Sequence, residues 1–192
     1  MALLEVIKYG HRTLRTPAAE FKKEQVDESF IKDMLETMTE EDGVGLAANQ
    51  VNVAKQMLVC ADKENEYVLF NPKIIATSEM MKEDVEGCLS LPGLQAVVRR
   101  HEKIIVRAKD ANWEDLEITA RGLLAVVLQH EIDHLNGILY IDRADLSTLI
   151  WTDAEFVDED LRQQKTDLLQ VQSVFLKKYK SSSEQVFDKL NV

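Results

Sequence analysis

The most continuous apolar pattern in the chain lies between Gly122 and Gly137 and is typical of a buried helix. Its apolar positions are Leu123, Leu124, Val126, Val127, Leu128 and Leu135. Gly137 stands where a helix would end with a residue in the left-handed conformation. The pattern therefore predicts a helix in the interior of the protein, ending close to Gly137.

Two other segments have apolar residues at helical spacing. The first runs from Asp27, a plausible N-cap, to Glu40, and its apolar positions are Phe30, Ile31, Met34, Leu35 and Met38. The second predicts a long C-terminal helix reaching Lys180, with apolar positions at Ala154, Val157, Leu161, Leu168, Val171, Phe175 and Tyr179.

Short β-type runs occupy most of the chain between these helices. They lie at 56–60, 67–70, 74–77, 96–99, 103–108 and 116–120. Predicted strands therefore outnumber predicted helices in the part of the chain that precedes the apolar helix, and they do not alternate with helices. This order predicts an α+β fold, with antiparallel strands wrapped around one central helix, an N-terminal helix and a long C-terminal helix. We expect residues 1–146 to form the main domain and residues 147–192 a helical extension packed on it.

Composition narrows the classes of function. The formal net charge of −11 argues against a polyanion-binding surface, so we expect no direct nucleic-acid binding. The N-terminus lacks the apolar core of a signal peptide, and no apolar run approaches the roughly 20 residues of a membrane span. The chain has 2 cysteines, too few for a disulfide framework. We therefore expect a cytoplasmic protein that does not bind membranes.

The predicted central helix carries a group of residues suited to metal chemistry. His130 and His134 are four residues apart and lie on one helical face, so both imidazoles can reach one metal ion. Glu131 follows the first histidine and completes the H-E-x-x-H pattern of metal-assisted hydrolysis, in which the glutamate is the general base. The alternative is a core helix that carries incidental polar residues.

A catalytic metal usually has three protein ligands, and no histidine follows His134. The third ligand must be a downstream Glu or Asp, or an upstream residue. Upstream, Cys88 is a soft ligand within the segment 86–93. Further upstream, the small residues of 43–50 allow close backbone approach, and Gln50 ends that segment with an amide able to donate to an oxyanion.

These three segments together resemble the peptide deformylase family. Its motifs G-x-G-L-A-A-x-Q, E-G-C-L-S and Q-H-E-x-D-H-L-x-G are matched in order at 43–50, 86–90 and 129–137. The resemblance covers about residues 1–145, the catalytic part of the chain. It implies one divalent metal ion per chain, held by Cys88, His130 and His134. Fe(II) is the implied physiological ion, and Zn, Ni or Co are able to take its place.

The resemblance also implies a reaction. A metal-bound water attacks the formyl carbon of an N-formylmethionine at the end of a newly made polypeptide, and formate is released. Glu131 acts as base and then as acid, while the Gln50 side chain and the Leu89 backbone N–H meet the oxyanion. An alternative role for Gln50 is a hydrogen bond that fixes its own loop.

The same resemblance implies an apolar slot for the methionine side chain, formed by Val44, Gly45, Leu123, Val126 and Val127. The alternative is that apolar residues of a buried helix pack together whatever the function. Glu86 and Arg100 are candidates for a charge pair that orients the Cys88 segment, and Asp133 either serves a ligand or faces solvent. Gln95 stands near a position where the family often has arginine, which puts a charged contact to the downstream peptide in doubt.

Two other classes of function are compatible with parts of this pattern. A zincin-type endopeptidase would share H-E-x-x-H, would take its third ligand downstream and would not depend on Cys88. A deformylase-like binding protein without turnover would be favoured by the loss of Glu131 or Gln50, and both are present. Further expected partners are the ribosome and a second copy of the chain, paired through the C-terminal helix.

Overall fold

The computed structural model describes residues 3–153 and 163–179, which form an α+β fold of three helices and two antiparallel sheets. The helices are α1 (Glu28–Glu40), α2 (Gly122–Leu135) and α3 (Leu168–Lys178). The strands are β1 (Gly45–Ala47), β2 (Met57–Ala61), β3 (Glu66–Thr77), β4 (Met81–Cys88), β5 (Leu91–His101), β6 (Lys103–Lys109), β7 (Asp115–Arg121) and β8 (Ala144–Trp151). The predicted fold class is confirmed.

The two sheets meet around helix α2. One sheet has the strand order β1-β2-β3-β6-β7, and the other has the order β4-β5-β8. Helix α2 contacts β1, β2 and β7 of the first sheet and β5 of the second. Strand β1 of one sheet and strand β5 of the other therefore both contact the helix that carries the H-E-x-x-H pattern, and β4 pairs with β5 along its length.

Helix α2 ends as the glycine pattern predicted. Gly137 has φ of 75°, its N–H donates to the His134 carbonyl, and the Ile138 N–H donates to the Asp133 carbonyl. These two bonds form a Schellman motif. A Cβ at position 137 would lie 2.8 Å from the Arg15 carbonyl oxygen, so glycine also allows the N-terminal segment to approach.

Helix α1 also agrees with its sequence pattern. The Asp27 side chain accepts a hydrogen bond from the Ser29 N–H, which confirms the predicted N-cap. Met34 and Met38 are buried and pack with Leu46 of β1 and Met57 of β2. The helix thus anchors the chain just before it enters the segment 43–50.

Several strands differ from the sequence prediction. The runs predicted at 67–70 and 74–77 form one strand, β3, and its pairing with β6 shifts register between Phe70 and Lys73. Strand β4 was not predicted, because its residues 81–87 are mostly polar. Its backbone pairs with β5, so hydrogen bonding and not apolar alternation defines this strand.

The C-terminal helix is confirmed but is shorter than predicted within the described residues. Residues 147–151, assigned to the helical extension, belong to strand β8, and residues 163–167 are not helical. Backbone pairing with β5 makes residues 147–151 part of a strand and not of a helix. Helix α3 begins later, where the Asp167 side chain caps it by accepting a hydrogen bond from the Gln170 N–H. Ala154, Val157, Leu161 and Lys180 lie outside the described residues.

Helix α3 packs on the same core as the N-terminal segment and strands β5 and β8. Phe175 contacts Tyr9 edge-on, with 5.6 Å between ring centroids, and stacks on Trp151 at 6.3 Å. Within residues 3–153 and 163–179, no helix combines the length and the apolar character needed to cross a membrane.

Candidate active site

The end of strand β4 brings Cys88 against the two histidines of α2. Cys88 Sγ lies 3.2 Å from His134 Nε2, and one ligand atom from each of Cys88, His130 and His134 lies within 4.8 Å of the others. The two imidazole rings are edge-on, with centroids 4.9 Å apart. The structure thus brings together the three residues predicted as metal ligands.

The electrostatics of this cluster suit a cation. Burial would lower the pKa of His130, but hydrogen bonds to Cys88 and Glu86 outweigh burial and hold that pKa well above its usual range. Burial and the nearby charge of His130 hold the pKa of His134 well below its usual range. These shifts favour a positive charge on the His130 ring, which lies between Cys88 and Glu86. One thiolate and two imidazoles are a donor set for zinc, iron or cobalt.

Glu86 orients His130 from behind. Its Oε2 lies 2.8 Å from His130 Nδ1, which leaves Nε2 of that ring for the cluster. Arg100 donates two hydrogen bonds to the same carboxylate, from Nε to Oε1 at 2.8 Å and from Nη2 to Oε2 at 2.9 Å. Burial raises the pKa of Glu86, but the bonds from Arg100 and His130 prevail and lower it to about 2. Glu86 is therefore held as a carboxylate.

Asp133 extends this ion pair and does not face solvent, and it connects to His130 through Arg100 and Glu86. It is 6% exposed, and its carboxylate binds Arg100 Nη1. Arg143 approaches from the other side, with Nε at 2.6 Å from Oδ2 and Nη2 at 2.7 Å from Oδ1. The network Glu86–Arg100–Asp133–Arg143 ties strands β4 and β5 to helix α2 and to the turn after it.

Glu131 lies beside the cluster with an unsatisfied oxygen. The residue is 4% exposed, and within the described residues its Oε2 has no hydrogen-bond partner. Burial raises the pKa of Glu131 to about 7. A Cβ at position 45 would lie 2.6 Å from Glu131 Oε1, so only glycine lets β1 pass this close. A carboxyl group that titrates near neutrality is suited to moving protons.

The Gln50 amide is fixed at both ends. Its Oε1 accepts from the Ala47 N–H at 2.8 Å, and its Nε2 donates to Ser90 Oγ at 3.2 Å. The same Nε2 lies 3.6 Å from Cys88 Sγ. Gln50 thus makes the loop-fixing bond considered from the sequence, and its amide nitrogen also faces the ligand cluster.

A cleft of about 460 Å³ opens over these groups. Leu89 and Gln95 line this cleft. All five residues predicted to form the methionine slot line it as well, namely Val44, Gly45, Leu123, Val126 and Val127. They differ in depth, since Leu123 is 63% exposed and Val44 50% exposed, whereas Val127 is 6% exposed. The first two form the rim of the cleft, and Val127 forms part of its floor.

Comparison with known proteins places this geometry in a family. The family model described as polypeptide deformylase matches residues 3–148. The chain belongs to the polypeptide deformylase family. A peptide deformylase from Syntrophobacter fumaroxidans is 46% identical over 151 residues, which cover 74% of this chain and 87% of that protein.

Solved deformylase structures agree. The peptide deformylase of Synechococcus elongatus, solved in complex with actinonin, has a TM-score of 0.72 and 34% identity, covering 97% of this chain and 91% of that one. A class I type b enzyme from Acinetobacter baumannii, solved with Met-Ala-Ser bound, has a TM-score of 0.71 and 33% identity over 74% of this chain and 98% of that one. As a polypeptide deformylase, the chain is an enzyme, and its Cys88–His130–His134 group fits the metal dependence of that family.

Three residues of this deformylase site were missed in the sequence. The buried Asn49 side chain donates to the His134 carbonyl, which links the first motif to the last histidine. Arg143 binds Asp133 as described above, and Lys8 donates to the Leu89 carbonyl. Only Asn49 had a signal, namely its place within the segment 43–50. The other two lie outside every motif, and their contacts depend on chain segments brought together by folding.

Proposed function

We propose that this chain removes the N-formyl group from the N-terminal methionine of newly made polypeptides and releases formate. The observation that carries the proposal is the unsatisfied Glu131 carboxylate, buried beside a Cys88–His130–His134 group at the floor of a cleft. Family membership supports the same activity. The bound Met-Ala-Ser of the Acinetobacter baumannii relative has the chemistry of a deformylated product.

In this proposal Cys88, His130 and His134 hold one divalent metal ion, with Fe(II) as the physiological ion and Zn, Ni or Co as substitutes. When bound, such an ion supplies Lewis acidity, which acidifies water and stabilises negative charge on oxygen. Glu86 keeps the His130 ring in place through Nδ1, and Arg100 keeps Glu86 ionised. Asp133 fixes Arg100 from the helix side.

Glu131 moves the protons. Because its pKa is near 7, it accepts a proton from the attacking water and returns it to the departing amine at neutral pH. Gln50 and Leu89 are donors to the oxygen of the formyl group. The Gln50 nitrogen has two N–H bonds, of which one donates to Ser90 Oγ and the other to Cys88 Sγ, and the second would donate to the formyl oxygen when substrate is bound.

The substrate methionine occupies the apolar side of the cleft. An unbranched side chain enters between Val44 and Leu123 at the rim and reaches Val126 and Val127 along α2. Gly45 leaves room for the substrate backbone and for Glu131. Gln95 lines the outer cleft, so the downstream peptide meets an amide here and no cationic side chain.

The other two classes of function have weaker support. An endopeptidase would need a ligand downstream of His134, whereas the group found in the described residues takes its third member, Cys88, from upstream. A binding protein without turnover gives no reason for Glu131 and Gln50 to face the cluster together. We further propose that the enzyme works in the cytoplasm, meets nascent chains at the ribosome and forms homodimers through the C-terminal helix.

The decisive experiment measures formate release from formyl-Met-Ala-Ser by anaerobically purified protein loaded with Fe(II) or Ni(II). Glu131→Gln should lower kcat by at least about 10³-fold, because general acid–base catalysis typically contributes 10²–10⁴ and this residue acts in two steps. Cys88→Ala should lose both activity and bound metal. Cys60→Ala is the matched control, since Cys60 is a buried free cysteine in the core.

Each outcome has a clear meaning. Formate release by the wild type and by Cys60→Ala, with its loss in the other two variants, supports the proposal. No formate from fully metallated wild-type protein contradicts it. Cleavage of internal peptide bonds that survives Cys88→Ala would favour the endopeptidase instead.

A further inference from the structure

Residues 7–9, which we call the N-terminal strap, bridge two segments of the active site. The Ile7 N–H donates to the Gln50 carbonyl at 2.8 Å, and the Tyr9 N–H donates to the Ser90 carbonyl, also at 2.8 Å. Gln50 and Ser90 are themselves joined by the side-chain bond at 3.2 Å. The strap therefore holds the first and second motifs in a fixed relation to each other.

Lys8, the middle residue of the strap, adds a side-chain bond. Its Nζ donates to the Leu89 carbonyl at 3.1 Å, and the side chain is half-buried. Burial lowers the pKa of Lys8, whereas the negative charges of Glu41, Cys88 and Glu5 oppose that shift. An amine held here is a donor to the backbone directly after Cys88.

We propose that Lys8 is a positioning residue, which holds the turn after Cys88 so that the Leu89 N–H faces the formyl oxygen of the substrate. This inference rests on the proposed function. The two peptide planes that flank Leu89 meet at its Cα inside a two-residue turn, so a bond to its carbonyl limits how far either plane can rotate while Cys88 stays paired with Leu91. The β4–β5 turn at Leu89 and Ser90 is already closed by the pairing of Cys88 with Leu91, and the Lys8 bond is an additional contact that sets the direction of the peptide groups within this turn.

The local structure separates this role from a general structural one. If Lys8 loses its amine, the backbone bonds of Ile7 and Tyr9 still attach the strap to Gln50 and Ser90. Stability should therefore change little. The turn at Leu89 loses a contact that these bonds do not replace, and displacement by about 1 Å near a reacting atom can cost about 10²-fold in rate.

The test compares Lys8→Met, which keeps the apolar stem and removes the donor, with Lys8→Arg, which keeps a cationic donor. For Lys8→Met we expect kcat on formyl-Met-Ala-Ser to fall about 10- to 100-fold, with KM within about 2-fold of the wild type. Lys8→Arg should recover most of kcat. Thermal unfolding midpoints and the Kd for Co(II) should match the wild type in both variants.

Lys63→Met is the matched control, because it makes the same change of charge at an exposed lysine between β2 and β3. It should leave kcat and KM unchanged. A Lys8→Met variant with wild-type kcat overturns the inference while the proposed function stands. A wild type that releases no formate overturns both.

Three other results would also overturn the inference. A rise in KM that disappears at high salt would mean that Lys8 attracts substrate by charge. A weaker Kd for Co(II), in proportion to the loss of kcat, would mean that it acts on Cys88. A fall in the unfolding midpoint without rescue by Lys8→Arg would mean that its role is packing.

Discussion

Helices α2 and α3 both carry apolar residues at helical spacing, but they are held in different ways. In α2, 10 of the 14 residues are buried, including His130, Glu131, Asp133 and His134. In α3, Val171 and Phe175 are the buried residues among 11. A helix enclosed on every side needs a partner for each polar group, whereas a helix on the surface needs only one apolar face. Chemistry is therefore concentrated where polar groups are enclosed and fixed.

The enclosed helix is held by charge as well as by packing. Asp133 of α2 lies between Arg100 and Arg143, and Arg100 continues to Glu86 of β4. Removing one member of such a network leaves buried charge without compensation. Helix α3 is held instead by aromatic contacts of Phe175 with Tyr9 and Trp151. The two helices should therefore respond differently to substitution.

The largest expected effect on stability is at Arg100. Arg100→Met leaves the buried carboxylates of Glu86 and Asp133 without their shared cation, which should cost about 3–5 kcal/mol of unfolding free energy. Arg107→Met is the control, because Arg107 and Glu117 form an exposed pair, 62% and 53% accessible, and should cost about 1 kcal/mol or less. Urea denaturation measures both. Similar small losses would show that the buried network does not hold α2.

The next effect tests the single buried face of α3. Phe175→Ala removes a fully buried ring that contacts Tyr9 and Trp151, and it should lower stability by about 3 kcal/mol. Leu169→Ala, at a residue 64% exposed on the same helix, should change stability by less than about 0.5 kcal/mol. If thermal unfolding shows equal losses at both positions, α3 is not attached through one face only.

The smallest effect concerns the two glycines at the ends of α2. Gly137 has φ of +75° and Gly122 has φ of +56°, so the backbone strain of alanine alone should cost about 1 kcal/mol at each position. At position 137 the new Cβ would also meet the Arg15 carbonyl oxygen at 2.8 Å, whereas at 122 it would meet nothing within 4 Å. Gly137→Ala should therefore cost about 2 kcal/mol, roughly twice the loss at Gly122. Equal losses in chemical denaturation would mean that the Arg15 segment moves away freely.

Those residues of the site that belong to short sequence motifs were predictable. His130, Glu131 and His134 follow from one helical turn, and Cys88 and Gln50 from motifs within a few residues of glycines. The contacts of Lys8, Asn49 and Arg143 were not predictable, although Asn49 lies within the segment 43–50, because the Leu89 and His134 carbonyls and the Asp133 carboxylate reach them only after folding. A backbone carbonyl has no identity in sequence, so a side chain that binds one leaves no pattern.

The sequence by itself determined the α+β class, helices α1 and α2 with their caps, the ligand group and the family. Tertiary structure decided that 147–151 is a strand, that α3 begins at Leu168 and that polar residues 81–87 join a sheet. The physical reason is range. Helix caps and i, i+4 pairs form between residues close in sequence. Strands β4 and β8, in contrast, form because their backbones pair with the distant backbone of β5.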